Sequence, residues 1–169
     1  MDKMKVVFQA LDQELTQANL DLSIICVGGF VLEYHGLRAT QDVDAFYEES
    51  HEINRIIAKI GKLFHINTRE EQWLNNEVAN LNPAPDLEIC ELLYSFQSLT
   101  VYIVPLTYVM GMKIMSSREQ DVLDIGKIIK MEKMTSPFET FRALKELGFE
   151  NMDFLCYLKD SVMRMDWNG

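Results

Sequence analysis

Two short motifs near the start of the sequence have residue types and a spacing that suit phosphate chemistry. An apolar run, residues 22–27, ends at Gly28 and Gly29, where a helix is expected to begin. Free backbone N–H groups at a helix start favour anions, and glycines let a ligand approach the backbone closely. Asp42 and Asp44 follow after twelve residues; on a strand their carboxylates share one face, with Cα atoms about 6.5 Å apart. Such a pair suits a hard cation, above all Mg²⁺, which keeps water and phosphate oxygens as its other ligands.

Each motif alone also has an ordinary structural explanation. Gly-Gly is common in tight turns, and Asp-x-Asp is common on the solvated face of a strand. The two together in one register arise by chance in about 1% of chains of this length, given typical residue frequencies. The combination therefore favours a nucleotide or metal site over a simple turn.

Three segments of the sequence resemble known families. Residues 28–44, which read G-G-F-V-L-E-Y-H-G-L-R-A-T-Q-D-V-D, resemble the polymerase β-like nucleotidyltransferase superfamily. Within it they look most like the AbiEii-type toxins and uncharacterised nucleotidyltransferase-like relatives, which carry G-G-x-A-L-x-x-x-G-x-x-R-x-T-x-D-I-D. Residues 113–125 are similar to the helix K-h-x-A-x-R-x-R-D-x-x-D-h of those families, and residues 71–78 resemble their W-L-N-D stretch. The resemblance spans roughly residues 24–129.

This resemblance implies an activity and a set of ligands. A nucleoside triphosphate would bind with its phosphates on Gly28 and Gly29, while Asp42 and Asp44 would be catalytic and hold Mg²⁺ or Mn²⁺. A nucleoside monophosphate would then pass to an acceptor, with release of pyrophosphate. The acceptor itself cannot be read from the sequence.

Four further residues match the family patterns. Lys113 and Asp121 correspond to active-site residues of the toxins, although Lys113 is also explained as a solvated helix lysine and Asp121 as a partner of Arg118. Arg38 and Thr40 are predicted to bind the nucleotide or to shape the loop before the aspartates, Arg38 through phosphate or an acidic side chain and Thr40 through a turn hydrogen bond.

The sequence also departs from the superfamily pattern. Polymerase β-like enzymes usually add a third carboxylate from a later strand, which can activate the attacking hydroxyl, and the predicted strand 99–104 contains none. Glu88 and Glu91 are candidates on the preceding strand, but a regular strand would point them to opposite sides. Two functions therefore remain open: an active nucleotidyltransferase, and a catalytically degenerate binding or regulatory module of the same fold.

The fold predicted to position these motifs is of the α+β class. It has a small mixed-sheet nucleotidyltransferase core with flanking helices and a C-terminal helical tail. Residues 1–104 are predicted to form the core and residues 105–169 a helical extension packed on it. The elements predicted in the core are helices at 4–15, 30–35 and 53–64, strands at 22–27, 43–47, 87–94 and 99–104, and a loop or lid at 75–85 anchored by Trp73 and Leu74. Beyond Pro105, helices are predicted up to Met115, then through Lys130, from a Ser136 cap to Gly148, and over 151–165. Capping boxes are predicted at Ser116 and Ser117.

Composition limits the partners. The 169 residues carry 16 Lys and Arg against 26 Asp and Glu, a net charge of −10, which opposes a general nucleic-acid-binding surface. A protein or small-molecule acceptor is therefore favoured over tRNA. Likeness to toxins implies an antitoxin protein as a partner. Cys26, Cys90 and Cys156 lack the sequence spacing of a metal site or a disulfide framework, which indicates free thiols in a reducing cytoplasm. No transmembrane or signal segment is apparent in the sequence, so no membrane partner is expected.

Overall fold

A computed structural model of the chain describes residues 2–67, 72–80, 83–116 and 118–149. The chain divides into two compact units, Met1–Val104 and Pro105–Gly169. The first unit contains β-sheet and helices, and the described part of the second is helical. Whether residues 105–169 pack on the core stays a prediction.

The described residues of the first unit form three α-helices and five strands. The helices are α1 (Asp2–Ala18), α2 (Gly28–Tyr34) and α3 (His51–Phe64), and the strands are β1 (Leu22–Cys26), β2 (Val43–Phe46), β3 (Leu74–Asn75), β4 (Glu91–Ser95) and β5 (Leu99–Ile103). Two short 3₁₀ helices, Glu77–Asn80 and Leu87–Ile89, complete the unit.

The strands form one mixed sheet in the order β3-β2-β1-β5-β4. β1 is antiparallel to β2 and parallel to β5, β2 is parallel to β3, and β4 is antiparallel to β5. The predicted α+β class with a mixed sheet is confirmed. Because side chains alternate along a strand, Ile24, Cys26 and Ala45 share a fully buried face, whereas Ser23 on the opposite face is exposed. The apolar run 22–27 is typical of a strand buried on both faces, and the exposure of Ser23 shows that this interpretation is wrong at that residue.

The predicted loop or lid at 75–85 contains regular structure at its start. Leu74 and Asn75 form β3, paired with Val43 and Asp44 of β2, so this part of the prediction is wrong. The predicted anchor is confirmed: Trp73 is fully buried, and its indole N–H donates to the carbonyl of Ile57 at 3.0 Å. Burial of a large aromatic side chain compensates for the weak pairing of so short a strand.

The predicted strand 87–94 begins later than expected. Asp86 accepts a hydrogen bond from the backbone N–H of Glu88 at 3.0 Å and starts the 3₁₀ helix Leu87–Ile89. This local hydrogen bond competes with strand pairing, so β4 starts only at Glu91. Glu88 therefore does not lie on the strand at all.

The second unit contains α4 (Leu106–Ser116), α5 (Glu119–Met131) and α6 (Pro137–Glu146). The Ser136 cap is confirmed by its hydrogen bond from the N–H of Glu139 at 3.3 Å. The capping box predicted at Ser116 is wrong: Arg118 is the N-cap of α5, and the Ser116 hydroxyl instead donates to Asp121. Ser117 and the helix predicted over 151–165 lie outside the described residues. Among the described helices, none is long and apolar enough to cross a membrane.

Candidate active site

The glycine pair lies where β1 ends and α2 begins. Val27 takes an extended conformation as the N-cap of α2, and its N–H donates to the carbonyl of Asp44 at 2.9 Å. Gly28 has φ +60, a left-handed conformation that other residues adopt at a cost. The apolar strand β1 thus ends at the glycines, and the start of α2 lies directly against β2.

The glycines contact the residues that follow in the motif. A Cβ at Gly28 would lie 2.9 Å from Asp44 Oδ2, and a Cβ at Gly29 would lie 2.6 Å from Thr40 Oγ1. Both distances are too short for a carbon atom, so neither position has room for a side chain. The Gly-Gly turn and the Asp-x-Asp segment, separate in the sequence, therefore form one site.

Neutral donors orient the two carboxylates. The Thr40 hydroxyl donates to Asp42 Oδ1 at 2.9 Å, and the Asn75 amide donates to Asp44 Oδ1 at 3.2 Å. Thr40 is held in turn by its backbone N–H, which donates to Glu33 at 2.7 Å. Neutral donors hold a carboxylate in place without supplying an opposing charge, so these bonds leave its negative charge available to a cation.

Asp42 does not lie on the strand. It occupies the bend immediately before β2, whereas Asp44 lies within β2. The expectation that both aspartates stand on one regular strand is therefore only half right. Both side chains are partly exposed, as a ligand site requires.

The position beside Asp44 on the neighbouring strand is taken by an amide. β3 is the neighbour of β2, and its Asn75 pairs with Asp44. Glu91, on β4, is separated from β2 by two strands, a distance of about 14 Å at normal strand spacing, and so is excluded as a third carboxylate at Asp44. Asn75 was missed as a site residue, although the W-L-N-N stretch that contains it was recognisable in the sequence.

The donor set fits Mg²⁺. Within the described ranges no group of three or more His, Cys, Asp or Glu side chains is arranged to hold a metal ion. Mg²⁺ needs only one or two protein carboxylates when substrate phosphates supply the rest. Asp42 and Asp44 meet that need, and Asp44 lies directly against the glycine turn.

Cys26 lies beneath the site, and its thiol is unreactive. It is fully buried on β1, and burial together with the negative charge of Asp44 raises the pKa of its thiol far above the ordinary value. The thiol therefore stays protonated, which rules it out as a nucleophile at neutral pH.

Lys113 and Asp121 come together in the second unit. Lys113 Nζ lies 2.6 Å from Asp121 Oδ1 and 2.9 Å from Asp124 Oδ2, and the three side chains are only 12%, 7% and 5% exposed. The alternative in which Lys113 is a solvated lysine is therefore wrong, as is the pairing of Asp121 with Arg118 alone. This buried cluster joins α4 to α5, and the predicted catalytic roles of Lys113 and Asp121 stay predictions.

Arg38 is exposed on the connection between α2 and β2. The predicted binding residues Gly28, Gly29 and Thr40 are grouped around the carboxylate pair. A role for Arg38 in binding phosphate stays a prediction.

A glycine turn at a helix start, packed against paired carboxylates on a mixed sheet, is an arrangement suited to phosphoryl or nucleotidyl transfer. The sequence matches, over residues 2–164, the family described as "Nucleotidyltransferase of unknown function (DUF6036)". The chain belongs to this family, and its predicted place among the nucleotidyltransferases is confirmed. Closeness to the AbiEii-type toxins stays a prediction.

The comparisons with curated proteins and with solved structures add little to the functional assignment. No curated protein matches the sequence. The chain is similar to the crystal structure of an antigenic nucleotidyltransferase-like protein from Paracoccidioides brasiliensis, with 18% identity and a TM-score of 0.46 over 94% of this chain and 93% of that one.

Proposed function

We propose that this nucleotidyltransferase is an active, Mg²⁺-dependent enzyme that transfers a nucleoside monophosphate from a nucleoside triphosphate to an acceptor and releases pyrophosphate. The observation that carries the proposal is the contact between the glycine turn and the carboxylate pair, with Asp44 Oδ2 only 2.9 Å from a Cβ at Gly28. Phosphates held on the glycine amides would lie next to the carboxylates, as the reaction requires.

Neutral backbone groups and charged side chains of the site have different roles in the proposed reaction. The backbone N–H groups of Gly28 and Gly29 bind phosphate oxygens, and the absence of side chains lets the triphosphate approach the backbone. Asp42 and Asp44 hold the cation, which when bound neutralises charge on the reacting phosphates. Thr40 and Asn75 keep the two carboxylates in position through the hydrogen bonds at 2.9 and 3.2 Å.

The test is label transfer from α-labelled triphosphates with candidate acceptors and Mg²⁺. Asp42→Asn and Asp44→Asn should fold and lose transfer, because each substitution removes a negative charge and keeps the shape. Asp21→Asn is the matched control: Asp21 is exposed and precedes β1, at the end of the strand opposite to the glycine turn. Transfer that persists at wild-type rate in both site variants would sink the proposal.

Asn75 favours the second candidate function, a nucleotide-binding or regulatory module without catalysis. The residue beside Asp44 on β3 is an amide, and β5, the later strand on which a third carboxylate was sought, contains no carboxylate. Calorimetric titration with triphosphates separates the two functions when it is combined with the transfer assay. Mg²⁺-dependent binding with transfer supports the enzyme, whereas binding without transfer to any acceptor supports the module.

The toxin role and the partners are part of the same proposal. The sequence resemblance supports a cytoplasmic toxin held by an antitoxin protein, and the net charge of −10 supports a protein or small-molecule acceptor over tRNA. If the chain is a toxin, its expression arrests growth and expression of Asp44→Asn does not. Equal growth in the two cultures would contradict the toxin role.

A further inference from the structure

A polar cavity of about 320 Å³ lies beside β3. It lies at the small end of the range for ligand pockets. Its polar walls are formed mostly by side-chain amides and one phenol, contributed by Tyr47, Asn54, Gln72, Asn75, Asn76 and Asn80. Glu49 and Glu77 add negative charge, and none of the described residues that line the cavity is basic.

The cavity adjoins the carboxylate pair through one side chain. Asn75 lines the cavity, and its amide also donates to Asp44 Oδ1 at 3.2 Å. A molecule in the cavity would therefore be separated from Asp44 by the width of a single amide. That is the position an acceptor must take if its hydroxyl is to reach a phosphate held at the neighbouring site.

Asn76 offers an acceptor atom that lacks a partner. Its amide nitrogen donates to the carbonyl of Tyr47 at 2.9 Å, which sets the direction of the side chain. Its Oδ1 is buried and accepts no hydrogen bond from any residue that the structure describes. A buried acceptor without a donor destabilises a protein, and a ligand hydroxyl supplies the missing donor once the side chain turns toward the cavity.

Tyr47 supplies a donor of its own. Burial and the nearby charge of Glu49 raise the pKa of its phenol to about 12, so the group keeps its proton at neutral pH. Amides and a phenol pair well with hydroxyl groups, because each amide both donates and accepts. A phosphate or carboxylate, by contrast, would meet Glu49 and Glu77, and no described lining residue would supply a compensating cation.

We propose that this cavity is the acceptor site of the enzyme and that it takes a small uncharged molecule with several hydroxyl groups, a sugar or a polyol. The inference rests on the proposed function. One hydroxyl oxygen of the acceptor forms a bond to the α-phosphorus of the triphosphate, and the bond from that phosphorus to the bridging oxygen breaks. Pyrophosphate leaves with the electron pair of that bond, and the hydroxyl proton is released to solvent.

Binding is measured apart from chemistry, on the Asp44→Asn protein, by ligand-observed NMR with a panel of neutral sugars and polyols and the matching sugar phosphates. Neutral members should bind and their phosphates should bind at least ~10-fold more weakly. Asn54→Leu and Asn80→Leu, which change one lining residue on α3 and one on the 3₁₀ helix Glu77–Asn80, should each weaken binding of the neutral ligand ~10-fold through loss of a hydrogen-bonding side chain. Circular dichroism spectra that match those of the parent protein show that the variants fold.

The outcomes separate this inference from the proposed function. Absence of polyol binding, or tighter binding of the sugar phosphates, overturns the acceptor site even if transfer to a protein is found. Polyol binding that both leucine variants leave unchanged also overturns it, because the ligand then lies elsewhere. Transfer of label to a bound polyol in the wild-type protein, lost in Asp42→Asn, supports both proposals. Polyol binding without transfer to any acceptor refutes the cavity as an acceptor site together with the proposed function.

Discussion

Replacing Gly28 with alanine tests the contact on which the candidate site depends. Gly28 has φ +60, so an alanine there costs about 1–2 kcal/mol in backbone strain. Its Cβ would also lie 2.9 Å from Asp44 Oδ2, and ordinary contact begins at 3.4 Å. The carboxylate oxygen must therefore move by about 0.5 Å to make room, away from the position that would hold the cation.

Gly36 provides the matched control, because it shares the backbone strain without the contact. Its φ is +71, and a Cβ there would meet nothing within 4 Å. Gly28→Ala and Gly36→Ala should therefore both lower the melting temperature by about 2–8 °C, at roughly 2–4 °C per kcal/mol for a chain of this size. Any difference between them in activity reports the displacement of Asp44.

We expect Gly28→Ala to lose at least ~10-fold in the rate of label transfer and Gly36→Ala to keep the wild-type rate. A displacement of 1 Å at a reacting group costs about 100-fold, so half that distance accounts for a tenfold loss. The assay is single-turnover transfer at saturating triphosphate, with melting curves run on the same samples. Equal activity in the two variants would refute the reasoning that joins the glycine turn to the carboxylates.

Three further predictions concern other contacts. Lys113→Met should destabilise the protein by about 3–5 kcal/mol in urea titrations, because it leaves the buried carboxylate of Asp121 without its cation. Asn75→Asp should make the melting temperature rise more with added Mg²⁺ than in the wild type, because a new carboxylate would stand beside Asp44. The phenol of Tyr47 has its pKa raised from 10 to about 12, so the folded state disfavours the phenolate. Its contribution to stability is therefore present below pH 10 and is lost as the pH rises from 10 to 12, a loss that Tyr47→Phe removes from the alkaline unfolding curve.

Each of these predictions has a clear contrary result. A loss of less than 0.5 kcal/mol in Lys113→Met would mean that the lysine behaves as a surface residue. An Mg²⁺ response no larger than that of the wild type in Asn75→Asp would separate Asn75 from the metal site. An alkaline unfolding curve that Tyr47→Phe does not change would mean that another group titrates in that range.

The parts of the fold that sequence reasoning predicted are those with a local physical cause. The run from buried strand to Gly28 and Gly29 marks the start of α2, because glycine readily takes the left-handed conformation that the turn out of the strand requires. The isoleucines of α3 recur at helical spacing and predicted that helix, whereas its cap, the Ser50 hydroxyl that accepts from the N–H of Ile53 at 3.1 Å, was not predicted. Each of these signals depends on residues that are close in the sequence, so it can be recognised without the rest of the chain.

The errors arise where two local hydrogen-bonding patterns compete for the same residues. Ser116 has the spacing of a capping box, yet its hydroxyl turns to Asp121, which α5 brings next to Lys113. Asp86 starts a 3₁₀ helix where the apolar pattern predicted a strand. In both cases more than one hydrogen bond was available to the same group, and the spacing did not show which one the folded chain would favour.

The sequence by itself determined which residues were available for chemistry: two glycines after a buried strand, two aspartates twelve residues later, and a surface with a net charge of −10. Only the tertiary structure decided what stands beside them. β3 has two residues, too few to show any periodicity, and it pairs with β2 because Trp73 is buried and its carbonyl accepts from the N–H of Val43 at 2.6 Å. That pairing places Asn75 beside Asp44 and next to the amide-lined cavity. The partner of so short a strand is determined by packing with distant residues and not by the strand's own sequence.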